Sequence, residues 1–234
     1  MLLRILKFIG KLLFILILLS IVWVVILRFA PVYYTPLMAI RSVEAQKKGE
    51  MLITIQKKWV SIDEISPYMA QAVIAAEDNL FMEHNGFSWH DIRKAAEENK
   101  KGKRIRGGST ISQQTAKNVF LWPGRSYVRK GLEAYFTTLI ELLWSKERIM
   151  EVYLNVIETG PGIYGVEAAS QIYFNTNADK LTKSQAALIA VCLPNPRLFN
   201  PQQPSSYIKS RQKQILHLMD KIGPINLKQK NKHE

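Results

Sequence analysis

The chain has 234 residues, enough for one domain with a small extra segment. Hydrophobic residues make up 47% of it, which excludes a wholly disordered chain. Its 32 Lys and Arg residues outnumber 19 Asp and Glu residues, and the charge of +13 predicts an anionic partner such as nucleic acid, anionic lipid or a phosphorylated substrate. The single cysteine, Cys192, excludes an internal disulfide and a Cys-rich metal site.

The N-terminal segment predicts a membrane anchor. Residues 12–27 carry no charge, and Ser20 is their one polar break. About 20 apolar residues cross the hydrocarbon layer as a helix, and apolar neighbours extend this run to that length. A cleaved signal peptide is the alternative, but its apolar stretch is shorter and Ala30-Pro31 is a poor cleavage site. Basic residues on both sides leave the orientation undecided.

The rest of the chain divides by composition. The predicted anchor, connector, helical domain and polar tail cover residues 1–30, 31–60, 61–220 and 221–234. Within the connector, Met51 to Gln56 predicts a short strand. The Lys- and Arg-rich stretch from Asn99 to Arg106 predicts either a mobile loop over a binding cleft or a solvated surface loop.

A carboxylate lies on the apolar side of the first predicted helix of the domain. Ser66-Pro67 is typical of a helix start and Asn85-Gly86 of a helix end. Between them, residues that share one face at three- and four-residue spacing are Ala70, Val73, Glu77, Leu80, Phe81 and His84. Desolvation there raises the pKa of Glu77 and makes it a better general base near neutral pH. The alternative is a salt-bridged Glu77 at the edge of the stripe.

Two glycines then lead into a polar helix near residue 110. Thr110 and Gln113 have the spacing of a capping box, and Ser109 is an alternative cap. The free N–H groups of a helix start attract anions. Gln113, Gln114 and Lys117 lie three or four residues apart and can converge on one ligand. The alternative is an ordinary capped helix with a solvated face.

A basic cluster begins the next long helix, for which Ser126 is the predicted N-cap. Arg125, Arg129 and Lys130 crowd this start, where the helix dipole disfavours cations unless an anion binds nearby. Glu133 lies near the border of the apolar stripe of the same helix. A plain surface ion pair between Arg129 and Glu133 is the alternative to an anion site.

Six segments in order, over about residues 60 to 200, resemble the motifs of one enzyme family. They are Glu77 to Phe87, Gly107 to Gln114 with Lys117-Asn118 following, Arg129 to Glu133, Lys146 to Asn155, Tyr164 to Ala169, and Leu193 to Pro196. Together they resemble the peptidoglycan glycosyltransferases of glycosyltransferase family 51, and most closely the monofunctional biosynthetic peptidoglycan transglycosylases.

The resemblance implies a mainly all-α, lysozyme-like fold with two lobes around a cleft. It implies that lipid II is polymerised into β-1,4-linked glycan strands with inversion and release of undecaprenyl pyrophosphate. Glu77 is then the general base, and Glu133 is a second essential carboxylate near the leaving group or a metal bound to it. The implied substrate-binding residues are Asp78, Phe81, His84, Ser109, Gln113, Gln114, Lys117, Asn118, Arg125, Arg129 and Lys130.

The resemblance also indicates partners and location. The expected partners are lipid II, the growing glycan chain, membrane lipids and cell-wall synthesis or division proteins, with no nucleic acid. The catalytic domain is expected on the outer, periplasmic face of the inner membrane. No residues have metal-ligand spacing, so no metal ligand is predicted, although the family leaves room for Mg or Mn with the pyrophosphate.

Two other functions compete with this interpretation. A lysozyme-like glycan hydrolase also uses two carboxylates in a cleft, but it has no pyrophosphate for the basic residues to stabilise. A membrane-anchored basic binding module explains the charge of the chain but not the carboxylate of Glu77 on an apolar face. It also lacks the alternating aromatic and basic residues of a strand-binding protein.

Overall fold

The structure is a computed structural model that describes residues 1–47, 54–90, 93, 108–124 and 126–228. Its helices are α1 (Leu2–Phe29), α2 (Pro36–Lys47), α3 (Pro67–Glu77), α4 (Ile111–Phe120), α5 (Tyr127–Leu143), α6 (Lys146–Val156), α7 (Val166–Phe174), α8 (Lys183–Cys192) and α9 (Ser206–Ile222). Strands β1 (Gln56–Lys57), β2 (Glu158–Gly160) and β3 (Ile163–Tyr164) form a sheet in the order β1-β3-β2. Strand β3 runs parallel to β1 and antiparallel to β2. The predicted mainly α-helical class is confirmed.

Hydroxyl caps begin the two helices that carry most of the predicted binding residues. The Ser126 hydroxyl accepts a hydrogen bond from the Arg129 backbone N–H at 3.1 Å, as predicted for the start of α5. At the start of α4, Thr110 and Gln113 form the predicted capping box: the Thr110 hydroxyl accepts from the Gln113 backbone N–H, and the Gln113 side chain accepts from the Thr110 backbone N–H. Both starts follow from local sequence.

Helix α3 begins at Pro67 as predicted but ends at Glu77, seven residues before His84. Asp78 leaves the helical conformation with φ −159° and ψ 76°. Its carboxylate accepts hydrogen bonds from the backbone N–H of Ile111 at 3.0 Å and from His84 Nε2 at 2.9 Å. The prediction of a helix that continues to His84 is therefore wrong, because Asp78 bonds across to α4 instead.

The helices pack in two groups that share one core. Helices α3, α8 and α9 pack against one another, and α4 packs against α5 and α6. Buried apolar side chains from both groups form a single cluster. The end of α3 meets α4 where the two groups join, which is where the predicted catalytic residue lies.

Helix α1 is long and apolar enough to cross a membrane, over the 27 residues Leu3–Phe29. Its apolar side chains from Leu3 to Leu19 are exposed, whereas Val24 and Leu27 are buried near α5. Arg148 of α6 donates from Nη2 to the carbonyl of Leu27 at 2.8 Å. The last carbonyls of a helix lack partners within the helix, so Arg148 satisfies one of them and holds α1 against the helical domain.

Candidate active site

Glu77, the last residue of α3, is held by a side chain of α4. Gln114 Nε2 donates to Glu77 Oε2 at 2.8 Å. The hydroxyl of Tyr153, which is fully buried, donates to Gln114 Oε1 at 3.4 Å and so orients the amide. Burial raises the pKa of Glu77, although the hydrogen bond from Gln114 and the charge of Arg211 lower it. A carboxyl with a raised pKa is a suitable proton acceptor near neutral pH.

Asp78 ties the turn after Glu77 to α4. It is 4% exposed and accepts the hydrogen bonds from Ile111 and His84 described above. The backbone N–H of Gly86 donates to His84 Nδ1 at 3.1 Å, so the proton of the neutral ring is on Nε2 and points to Asp78. Asp78 and His84 thus hold the chain around Glu77, and their contact with substrate stays a prediction.

A buried ion pair between Lys146 and Glu141 stabilises the turn that follows Glu77. Lys146 Nζ lies 2.8 Å from Glu141 Oε1, and their side chains are 5% and 6% exposed. Lys146 also donates to the backbone carbonyl of His84 at 2.6 Å and lies 4.5 Å from the ring centroid of Phe81, which is fully buried. The hydroxyl of Ser112 donates to the same oxygen of Glu141. The cation therefore links the turn to both α4 and α5.

Glu133, on α5, accepts hydrogen bonds from two cationic side chains. Arg129 Nη1 donates to Glu133 Oε2 at 2.6 Å, and Lys130 Nζ donates to Oε1. The side chains of Arg129 and Glu133 are 11% and 4% exposed, so this is not the surface ion pair of the alternative interpretation. Arg129 Nε is buried and has no hydrogen-bond partner within the part of the chain that the structure describes. An unpaired buried donor costs about 1–3 kcal/mol, which a bound anion offsets.

The charge of Lys117, on α4, interacts with both carboxylates. Burial lowers the pKa of its ammonium group; Glu133 and Glu77 raise this pKa, and Arg129 and Lys130 lower it. Lys117 therefore lies within electrostatic range of both Glu77 and the cations on Glu133. Three cations share Glu133 as their nearby anion, and the excess positive charge suits a phosphate-bearing ligand.

The other predicted binding residues on this helix lie in different places. Ser109 is half-buried before α4, and Gln113 and Asn118 are each 4% exposed. The side-chain carbonyl of Gln113 caps the helix, while Gln114 faces Glu77. Gln113 and Gln114 therefore do not point to one common ligand. Substrate contacts of Ser109, Gln113 and Asn118 stay predictions.

The predictions of a metal ion and of a binding role for Arg125 stay untested. Among the described residues, no group of three His, Cys, Asp or Glu side chains could hold a metal ion. A Mg or Mn ion on the pyrophosphate therefore stays a prediction. Arg125 and the stretch from Asn99 to Arg106 lie outside the described residues.

Four residues that lie near the site were not identified as site residues from the sequence. Lys146 and Tyr153 lie in a segment that resembles a family motif, which was the available signal. Glu141 and Arg211 had no such signal, because their partners lie on other helices. Arg211 is on α9, and its charge acts on Glu77 at the end of α3.

The family model described as Transglycosylase matches residues 46–220, which include every site residue above. The chain belongs to the transglycosylase family. This transglycosylase is similar to the biosynthetic peptidoglycan transglycosylase of Bacteroides thetaiotaomicron, with 58% identity over 218 residues that cover 92% of this chain and 88% of that protein. It is also similar to the protein of the same name from Bdellovibrio bacteriovorus, with 59% identity over 198 residues that cover 85% and 79%. For the Escherichia coli protein the identity is 55% over 195 residues, covering 83% and 81%.

The transglycosylase domain has the lysozyme-like glycosyltransferase fold, so the fold predicted from the resemblance is confirmed. The protein is a glycosyltransferase of this family. Membership of this family indicates glycosyl transfer as the reaction in which Glu77 and the Arg129–Lys130–Glu133 cluster take part.

Proposed function

We propose that this transglycosylase polymerises peptidoglycan glycan strands from lipid II, forming β-1,4 linkages with inversion and releasing undecaprenyl pyrophosphate. The observation that carries this proposal is a buried carboxylate, Glu77, held by Gln114 on the helix that precedes the Arg129–Lys130–Glu133 cluster, with the charge of Lys117 acting on both. Glycosyl transfer from a pyrophosphate needs a base for the acceptor and cations for the leaving group. This arrangement offers both.

Glu77 is the proposed general base. Gln114 holds its Oε2, and no described residue donates a hydrogen bond to its Oε1. Oε1 is then the atom that accepts the proton of the acceptor 4-hydroxyl. As this proton leaves, the hydroxyl oxygen attacks the anomeric carbon of the growing chain from the face opposite the pyrophosphate. The anomeric configuration is thereby inverted.

The cations of α4 and α5 are the proposed site of the leaving group. The bond from the anomeric carbon to the pyrophosphate oxygen breaks, and the electron pair stays on the pyrophosphate. Arg129, Lys130 and Lys117 stabilise this charge, and Glu133 holds the first two of them in place. A preorganised donor of this kind is worth about 3–4 kcal/mol in the transition state.

Helix α1 is the proposed single-pass anchor, with the catalytic domain on the outer, periplasmic face of the inner membrane. Its exposed apolar surface fits the hydrocarbon layer. Lipid II is itself held in the membrane, so an anchored enzyme meets it in two dimensions. The proposed partners are lipid II, the growing strand and membrane lipids.

The test is polymerisation of lipid II by the full chain and by its Glu77→Gln variant. Loss of a general base is expected to slow the reaction about 10²- to 10⁴-fold. Glu83, an exposed carboxylate in the turn after α3, supplies the matched control: Glu83→Gln is expected to polymerise normally. Near-normal polymer formation by Glu77→Gln contradicts the assignment, and shortening of finished glycan strands by the wild type favours a hydrolase.

Thermal unfolding of the same variants separates lost chemistry from lost structure. A Gln side chain still accepts the hydrogen bond from Gln114. Because burial raises the pKa of Glu77, its ionised form opposes folding at neutral pH, and this penalty disappears as the pH falls through the folded pKa. Glu77→Gln is therefore expected to unfold at the same or a higher temperature at pH 7.

A further inference from the structure

A pocket outside the candidate active site lies between α2 and the small sheet. Its walls carry Arg41 and Glu44 from α2, Glu158 and Tyr164 from the sheet, and Arg197 from the segment after α8. The pocket and its open mouth contain about 370 Å³ of empty space. Its enclosed part is only about 20 Å³, so the end of a ligand can enter it while the rest of the ligand lies in the open mouth.

Two buried donors in this pocket have no hydrogen-bond partner among the described residues: the Tyr164 hydroxyl and Arg41 Nε. Tyr164 is fully buried, and burial raises the pKa of its phenol, so the hydroxyl keeps its proton. Arg41 is held by Glu44, which accepts from Nη1 at 2.7 Å. Arg41 Nε is 3.7 Å from Glu158 Oε2, too far for a hydrogen bond. Buried donors in native proteins nearly always have an acceptor, which indicates that a water or a ligand accepts from them here.

The charges of the pocket are balanced. The guanidinium groups of Arg41 and Arg197 stand against the carboxylates of Glu44 and Glu158. The Glu158 side chain is 9% exposed; burial raises its pKa and the two arginines lower it. The carboxylates would repel a simple anion, and the guanidinium groups would repel a simple cation. Neither kind of ion is therefore favoured. A group that carries both charges matches both.

We propose that this pocket binds a zwitterionic amino-acid group, in which one carbon bears a free ammonium and a free carboxylate. The carboxylate accepts hydrogen bonds from the Tyr164 hydroxyl, Arg41 Nε and Arg197. The ammonium donates to Glu158. Every pocket donor that lacks a partner is then satisfied, and the charge of the pocket is unchanged.

The peptide of the peptidoglycan precursor is the source that we expect for this group, and in this respect the inference rests on the proposed function. A diamino diacid residue in a peptide chain ends in a free ammonium and a free carboxylate on one carbon. Helix α2, which carries Arg41 and Glu44, packs against α4, the helix of Gln114 and Lys117. The pocket thus adjoins an element of the active site. A free amino acid is the other possible source.

The test compares two lipid II preparations, whose peptides carry either meso-diaminopimelate or lysine at the same position. Lysine keeps the terminal ammonium and lacks the carboxylate. The wild type is expected to use the diaminopimelate form with about tenfold higher kcat/KM, the effect of one charge-assisted contact. In Tyr164→Phe and Arg197→Gln this ratio is expected to fall towards one while the rate with the lysine form is unchanged. Arg4→Gln, near the start of α1, is the matched control and should keep the tenfold ratio.

A binding measurement that needs no polymerisation distinguishes the two proposals. Free meso-diaminopimelate is expected to raise the unfolding temperature of the wild-type full chain and to leave that of Tyr164→Phe unchanged. Polymer formation with no preference between the two substrates, together with no effect of the free amino acid, overturns the pocket and leaves the proposed function standing. An unfolding shift without any polymer from either substrate supports the pocket and contradicts the proposed function. If the free amino acid binds but the two substrates are used equally, the source is the free amino acid rather than the peptide.

Discussion

Replacing Lys146 with Met is expected to loosen the turn that holds Glu77. The substitution keeps most of the side-chain volume and removes the charge. Among the described residues, Glu141 then keeps only the Ser112 hydroxyl as a hydrogen-bond donor to its buried carboxylate, and the carbonyl of His84 loses a donor. Removing one partner of a buried ion pair lowers the free energy of unfolding by about 3–5 kcal/mol, because the other charge stays buried.

Unfolding of the full chain in detergent measures this cost. For a protein of this size, 1 kcal/mol shifts the unfolding temperature by roughly 2–4 °C, so Lys146→Met is expected to lower it by about 6–20 °C. Lys213→Met is the matched control, because Lys213 is exposed on α9 and exposed substitutions usually change stability by less than about 0.5 kcal/mol. Polymerisation is expected to fall together with stability, since Lys146 holds the backbone of His84, the partner of Asp78.

The double variant Lys146→Met, Glu141→Leu tests the reason. With both charges removed, no carboxylate is left buried alone, and stability is expected to recover most of the loss. A loss below about 1 kcal/mol in Lys146→Met, or a double variant less stable than the single one, refutes the buried charge as the cause.

The remaining predictions concern the base and one glycine. Gln114→Leu removes the hydrogen bond that lowers the pKa of Glu77, so this pKa is expected to rise. The acid limb of the pH–rate profile of polymerisation then moves to higher pH, because the base must be deprotonated. An acid limb that does not move contradicts the role of Glu77 as base. In Gly165→Ala the new Cβ stands 2.8 Å from the backbone oxygen of Asn155 at φ +81°, so unfolding is expected to become easier by at least about 1–3 kcal/mol. The control is Gly131→Ala, in α5 with open space around it, which is expected to stabilise by about 0.5–1 kcal/mol; equal effects of the two substitutions exclude the steric explanation.

Local sequence predicted the starts of α3, α4 and α5 and the apolar run of α1. The capping box of Thr110 and Gln113 and the cap at Ser126 join residues three positions apart, so their spacing is enough to predict them. The apolar run of α1 is likewise a property of consecutive residues. The candidate base Glu77 was predicted because desolvation follows from its apolar neighbours.

The end of α3 and the sheet needed the tertiary structure. Asp78 stops the helix by bonding to Ile111, 33 residues further along the chain, and no spacing within the helix indicates that contact. Strands β2 and β3 have three and two residues, too few for an alternating pattern to appear.

The amino-acid sequence by itself determined which residues carry charge and where helices α3, α4 and α5 begin, because hydrogen bonds and backbone preferences of near neighbours decide these features. Only the tertiary structure decided that the charge of Lys117 interacts with both Glu77 and the cluster on Glu133, and that Lys146 and Glu141 hold the turn after Glu77. These groups come from different helices, and packing of the apolar faces brings them together. Contacts between distant segments depend on that packing, which no local periodicity encodes.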